Sequence, residues 1–301
     1  MNHHGMSEEE KNYLEQYDIS GYDRPSVATD MAIFSVREAA EAENFRKLPK
    51  LSLKLLLVCR NAHPYKGQWA LPGGFCRPDE DVAETARREL FEETGLQNAF
   101  LSLFGSFGEE GRDPRGWVIS NAFLALVEAG NHQLHAGTDA GGADWFTIEA
   151  EVSGETKEVK EDSAQIETDY ILRFRQEKTG VVLTAKITEK KSFCNYHESV
   201  SYRITESDGI AFDHAKIILR AWQHMRETAE TDPRIVFDLM PELFTLNRLQ
   251  SAMELILGQE LLTANFRRKI AEYVVETEKL SEGKGHRPAK LFARNLQAFY
   301  K

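Results

Sequence analysis

Cysteine is scarce in this chain: three in 301 residues, at positions 59, 76 and 194. An odd number without metal-ligand spacing excludes a disulfide framework and a cysteine-based zinc module. Cys59, Cys76 and Cys194 therefore read as small side chains of a reducing compartment. Long apolar runs are missing too. None approaches the roughly 20 residues that cross a bilayer, and the opening MNHHGMSEEEKNYLEQYD lacks a signal-peptide core. A cytoplasmic location with no membrane partner is expected. Nor is there an overall excess of cations. The net charge of -11 excludes a protein that coats nucleic acid over its whole surface.

That average hides an asymmetry. From residue 263 onward the cations are Arg267, Arg268, Lys269, Lys279, Lys284, Arg287, Lys290, Arg294 and Lys301. The acids there are only Glu272, Glu276, Glu278 and Glu282. An acidic body with a basic end suggests two jobs, and the length allows two domains.

Periodicity supplies the elements. Residues 7–18 read as a short helix with a thin apolar face of Tyr13, Leu14 and Tyr17. Strands follow at 26–36 and 51–58, joined by a polar hairpin loop. After the Pro72-Gly73-Gly74 turn, a helix is expected over 81–94. Asp81 and Glu84 form a capping-box pair, Val82, Ala83, Ala86 and Leu90 share a face, and Gly95 stands at the stop. Further strands fit 101–107, 117–127 and 143–146. Residues 151–208 read as an insert: a flexible charged loop, EVSGETKEVKEDSAQIE, then a hairpin split at 177–180. A helix over 212–226 and a connection over 227–233 complete this part. The expected division is an N-terminal arm (1–22), an α/β body (23–227) and a separate C-terminal domain (228–301).

One segment carries chemistry. In GGFCRPDEDVAETARRELFEETGL, the residues Glu89, Glu92 and Glu93 are spaced i, i+3 and i+4, so a helix projects them from one face. Three adjacent carboxylates repel one another unless a cation joins them, and hard divalent ions favour oxygen ligands. Gly74, Glu80, Arg88, Glu89, Leu90, Glu92, Glu93, Gly95 and Leu96 match every fixed position of the Nudix signature. This segment is identified as a Nudix box. The resemblance implies an α/β/α sandwich and hydrolysis of a nucleoside diphosphate linked to another group. It also implies magnesium, with manganese as an alternative, held by Glu89, Glu92 and Glu93. Glu93 and Glu89 would be catalytic, with Arg88 holding a glutamate in place and Glu80 supporting the site. Glu93, Glu109 and Glu110 all remain candidates for the base. Gly74, Arg112, Asp113 and Arg115 are the candidate substrate contacts, the last three in a Pro-Gly loop that offers a cationic fork to phosphate. Trp69 reads as core.

GQWALPGGF and GRDPRGWVIS, with Arg24-Pro25-Ser26-Val27, Asp30, GTDAGGADWF and IAFDHAKII, are similar to the Nudix-related transcriptional regulators of NAD metabolism. Those segments also resemble the ADP-ribose branch. The basic end fits that resemblance. Leu246, Leu249, Met253, Ile256 and Leu257 have core spacing on one helix, ended by Gly258. A second helix, TANFRRKIAEYV, is capped by Thr263, and GKGHRPAKLF reads as a hairpin wing. Together they make a winged helix-turn-helix, with Arg267, Arg268, Lys269, Lys284, Arg287 and Lys290 as DNA contacts. His214 and His286 have no visible partner and are assigned no catalytic role. The expected protein binds and cleaves an ADP-ribose-like nucleotide, binds operator DNA and forms a homodimer. The alternative is a regulator that senses the nucleotide without cleaving it.

Overall fold

The computed structural model describes residues 6–38, 50–96, 99–130, 140–281 and 288–299. Helix α1 (Glu8–Gln16) has a Ser7–Glu10 capping box and buries none of its residues. The chain then enters β1 (Ser26–Glu38), whose middle is buried on both faces, the signature of a central strand. β1 pairs antiparallel with β2 (Leu51–Arg60) and parallel with β6 (Val118–Leu126). β5 (Phe100–Phe107) lies outside β6, while the short β3 (Trp69–Ala70) and β4 (Gly73–Phe75) pair with β2 and β1.

On the other side of β2 the sheet continues through β7 (Ala140–Val159), β8 (Ser163–Arg175), β9 (Val182–Cys194) and β10 (His197–Asp208). This corrects the expectation of a flexible charged loop. Its residues form the far halves of β7 and β8, in register from Glu155–Thr168 to Val159–Ala164. Backbone ladders and cross-strand pairs such as Arg173–Glu151 at 2.6 Å and Lys190–Glu167 at 3.4 Å hold these strands together beyond the part that reaches the core. The hairpin split at 177–180 is present, and β10 is a further strand beyond it.

Two helices sandwich the sheet. α2 (Val82–Thr94) covers one face, burying Ala86 and Leu90 against Met31, Ile33, Leu56 and Phe123. Truncating Leu90 to alanine would cost about 2–5 kcal/mol. α3 (His214–Thr231) covers the other, with Ile217, Ile218, Ala221 and Met225 fully buried. It runs one turn beyond its expected end, through the stretch that reads as a connection. There Ala229 is buried and the Thr228 and Thr231 hydroxyls bond carbonyls within the helix.

The chain then makes a 3-10 turn (Pro233–Leu239), α4 (Leu246–Leu257), α5 (Thr263–Ile270), a β11 (Val274–Leu280)–β12 (Lys290–Arg294) ribbon and a terminal α6 (Leu296–Phe299). α4 starts on a Thr245 cap and stops at left-handed Gly258. The cap of α5 is Leu262, without a side-chain bond, and Thr263 is its first residue, so the expected Thr263 cap is wrong. The AEYV tail leaves the α-helix; it forms a 3-10 turn and opens β11. The same apolar cluster runs from Phe34, Leu55 and Phe146 of the sheet through α3 to Phe237, Phe244, Leu249 and Phe266. The C-terminal elements are thus packed onto the body by shared core.

Candidate functional site

α2 is anchored at both ends, and this fixes where its carboxylates point. Asp81 accepts from Ala83 N–H at 2.8 Å and Glu84 N–H at 2.7 Å, Glu84 returns the bond to Asp81 N–H, and Gly95 closes the helix at φ 70°. With Leu90 on the sheet, Glu89 and Glu93 face the β4 turn. Gly73 N–H donates to Glu93 Oε2 at 3.1 Å. A Cβ on Gly74 would lie 2.2 Å from Glu89 Oε1, and one on Gly73 would lie 2.1 Å from the Thr29 carbonyl oxygen. These two glycines let the turn and the carboxylates approach.

Arg88 organises the cluster. Its Nε and Nη2 grip Glu80 at 2.7 and 3.0 Å, and Nη1 reaches Glu89 at 2.6 Å and Glu92 at 3.3 Å. The bidentate Arg88 bond holds Glu80 at about 2, well below the usual carboxylate range. Glu93 moves the other way, up to about 8. Burial contributes most, and the charges of Glu89, Asp30 and Glu92 add to it.

Arg88, Glu89, Glu92 and Glu93 line a cleft of about 860 Å³ that also takes in Gly74, Arg112, Asp113, Arg115, Asp30 and His214. The cationic fork expected from the 111–120 loop is not free. Arg112 is buried, bonded twice to Asp213 (2.8 and 3.1 Å) and once to Asp30 at 3.4 Å. Asp113 is spent on Arg115, whose Nη2 lies 2.6 Å away. Arg115 alone stays about half exposed, over the rings of Phe75 and Phe212. An aromatic–guanidinium mouth of this kind suits a base or sugar phosphate. Neither Glu109 nor Glu110 lines the cleft, and Glu109 pairs with Lys216 at 2.9 Å.

Sequence reasoning undervalued three residues. Asp30 sits at the floor, accepting from Ser120 Oγ at 2.5 Å. His214 is buried, and its Nδ1 accepts from Leu71 N–H at 2.8 Å. Its proton therefore faces Asp30 from Nε2, at 3.5 Å, and burial pushes the ring below its ordinary value, so it stays neutral. Phe212 holds a left-handed backbone, φ 54°, which places its ring against Tyr65, His214 and Arg60. The signal for Asp213 and His214 was their place just before an amphipathic helix; nothing in sequence shows that the helix starts in the cleft. Trp69 is half-buried and packs against the core, edge-on to Phe146 at 4.7 Å.

The all-oxygen donor set of Glu89, Glu92 and Glu93 suits a hard divalent cation. The crowding of like charges that raises Glu93 is what such a cation relieves. As they stand the three do not converge, and among the described residues no group of three acids, histidines or cysteines is spaced to hold a metal. Glu92 is turned outward to Arg88 and Arg77.

The NUDIX domain model matches residues 49–169, and the NrtR DNA-binding winged helix domain model matches 236–293. Residues 49–169 thus carry a Nudix domain and residues 236–293 an NrtR-type winged helix. It is 29% identical over 293 residues to the ADPR responsive transcriptional repressor NtrR of Acinetobacter baylyi, spanning 96% of this chain and 90% of that one. The Nudix part is 46% identical over 95 residues to an ADP-ribose pyrophosphatase of Methanocaldococcus jannaschii, 32% of this chain and 55% of that protein. A MutT/nudix family protein from Enterococcus faecalis superposes with a TM-score of 0.63 at 26% identity, covering 96% and 99% of the two chains.

On the winged helix, α5 exposes Arg267, Arg268 and Lys269 beside buried Phe266 and Ile270. Arg268 touches Asn265 at 3.3 Å and Lys269 donates to the Glu230 carbonyl at 2.9 Å. Lys290 on the wing pairs with Glu276. Lys284, His286 and Arg287 lie outside the described residues, as do the 39–49 loop and the 131–139 segment. No helix among the described residues is long and apolar enough to cross a membrane.

Proposed function

We propose that this protein is an ADP-ribose-responsive transcriptional regulator whose Nudix cleft also hydrolyses its ligand with magnesium. The observation that carries the reading is the joining of two complete parts by one helix. At its start α3 supplies His214 to the cleft, and its N-cap Asp213 holds Arg112 of the cleft wall. Near its other end Arg226 bonds the last carbonyl of α4, at Leu257, and Glu230 accepts from Lys269 of α5. Eighteen residues make a rod of about 27 Å, so a shift at the cleft wall moves both helices of the helix-turn-helix.

Binding follows from the lining. Arg115, Phe75 and Phe212 offer a cation and aromatic faces to an adenine or a phosphate. Glu89, Glu92 and Glu93 would hold magnesium once Glu92 leaves Arg77. When bound, the ion orients the phosphates and acidifies a water. Arg88 fixes the orientation of Glu89 through the Glu80 clamp. Glu93 is the favoured base, because its carboxylate is buried in the cleft, against the Gly73 N–H, and because Glu109 and Glu110 stand outside the cleft. Water attacks one phosphorus of the pyrophosphate, the bridging oxygen leaves with the other half, and ADP-ribose gives AMP and ribose 5-phosphate. On the DNA side, Arg267 and Arg268 enter the major groove of an operator with Lys284, Arg287 and Lys290 on the wing. A homodimer would read paired half-sites, with 228–301 as the DNA-binding domain.

The test is incubation of the full chain with magnesium and ADP-ribose, followed by chromatography for AMP and ribose 5-phosphate. Product formation that Glu92→Gln abolishes supports the enzyme. Absence of product, with ADP-ribose still altering DNA affinity, leaves a sensor that does not cleave. The paired state of Glu92 on Arg77 and Arg88 favours that second reading.

A further inference from the structure

A second cleft, of about 560 Å³, lies at the other end of the sheet. It is bounded by the end of β1, the start of β2, β7 and the β8–β9 turn. From Asp30 to Arg37 along β1 is about 23 Å, so the two clefts are separate. Strand alternation puts Arg37 on the same sheet face as Ile33, and Lys54 on the face of Leu56, the side that α2 covers.

Its acids are all engaged. Glu177 pairs with Lys54, Asp144 accepts from Gln176 at 2.8 Å and from the backbone of Trp145 at 2.8 Å, and Glu38 meets Arg248 at 3.4 Å. Its donors are not. Trp145 is 8% exposed, and its indole N–H has no acceptor. Arg37 lies over that indole, 4.6 Å from ring centre to guanidinium carbon, and its buried Nε–H also has no acceptor. Among the described residues Arg37 forms no ion pair within 4.0 Å; Asp144 and Glu128 attract it at longer range. Just beneath, opposite Lys54 in the β1–β2 register, Ser35 Oγ is buried and unpartnered.

Five buried side-chain atoms among the described residues lack a partner, and two of them, on Arg37 and Trp145, belong to residues that line this cleft. Buried donors without acceptors are costly and rare in folded proteins. A water could answer two N–H groups, but it would not offset the charge of the half-buried Arg37, which burial disfavours. An acceptor-rich group of opposite charge answers both. We propose that this cleft is a second ligand site, which takes a small oxyanion on Arg37 and the Trp145 indole N–H. It is independent of the nucleotide reading, since no residue of the Nudix cleft takes part. Glu38 joins the site to Arg248 in the first turn of α4, so an anion there also sits beside the winged helix.

The test observes the indole N–H directly. The full chain is labelled with nitrogen-15 at tryptophan, of which there are four, and the Trp145 resonance is assigned with Trp145→Phe. Inorganic phosphate and acetate are then titrated separately against sodium chloride at matched ionic strength. The expected result is a saturable shift of the Trp145 resonance with at least one oxyanion, not reproduced by chloride. In Arg37→Gln that affinity should fall at least tenfold, with the other indole signals unchanged. A phosphate response alone marks a phosphate site, and an acetate response a carboxylate site. No saturable shift would overturn the proposal and leave the donors to water, as would a shift that Arg37→Gln leaves intact.

Discussion

The arginines of the Nudix cleft and those of α5 are the same residue type in opposite situations. Arg88 and Arg112 are 15% and 5% exposed, each held by two or more carboxylates. Arg267 and Arg268 stand in solvent, and neither is in an ion pair among the described residues. The buried pair shapes a site, because a guanidinium locked by Glu80 or Asp213 fixes the backbone and carboxylates around it. The exposed pair is suited to meeting phosphates, where attraction is long-ranged and contact releases counterions. Position in the fold decides between these roles.

The largest effect that would break this contrast is on catalysis. Glu93→Gln should lower ADP-ribose turnover by about 100-fold or more while leaving DNA affinity unchanged in a gel-shift titration. Loss of both together would mean that the substitution unfolds the protein. Next comes Arg267→Ala with Arg268→Ala. Operator affinity should fall by about 10- to 100-fold, and the slope of log affinity against log salt should lessen by about 2. Hydrolysis should be unaffected. Lys269→Ala should do less to DNA, because its ammonium is already on the Glu230 carbonyl.

How much of this was visible in sequence follows the range of the interactions. The box helix was read with both its caps, because Asp81, Glu84 and Gly95 act within a few residues. The first helix of the winged module was read from core spacing, whereas the second was read four residues too long and with the wrong cap. The loop fork was misread because Arg112 is neutralised by Asp213, 101 residues away, a pairing that no local pattern records. Strands β7 and β8 were misread because the far half of β7 is almost wholly exposed and that of β8 is half-buried on both sides, which leaves no alternation to find. The three-glutamate face was legible as a set, but its present state, with Glu92 drawn to Arg77, was not.

A third experiment sharpens the comparison at its joint. Asp213→Asn removes one of the two carboxylates that hold Arg112 and weakens the link between cleft and α3. Thermal unfolding should report a loss of about 2–4 kcal/mol, since Asp30 still offsets part of the buried charge. The smallest effect concerns pH. Glu93 in the fold keeps its proton up to about 8, against 4.5 when exposed. As pH rises through that window the unfolded chain releases the proton first, so the metal-free fold loses stability between about 4.5 and 8. With a chelator present, Glu93→Gln should therefore melt several degrees above the wild type at pH 9, by roughly 2–8 °C. The gap should close at pH 4.5.

The central claim is that the cleft and the winged helix are two ends of one device. Operator affinity measured with and without ADP-ribose, in the Glu93→Gln protein so that the ligand survives, tests it most directly. The account predicts a change of about 5-fold or more, reduced when Asp213→Asn is added to a chain that still binds ADP-ribose. An affinity for DNA that is the same at zero and saturating ADP-ribose would contradict it.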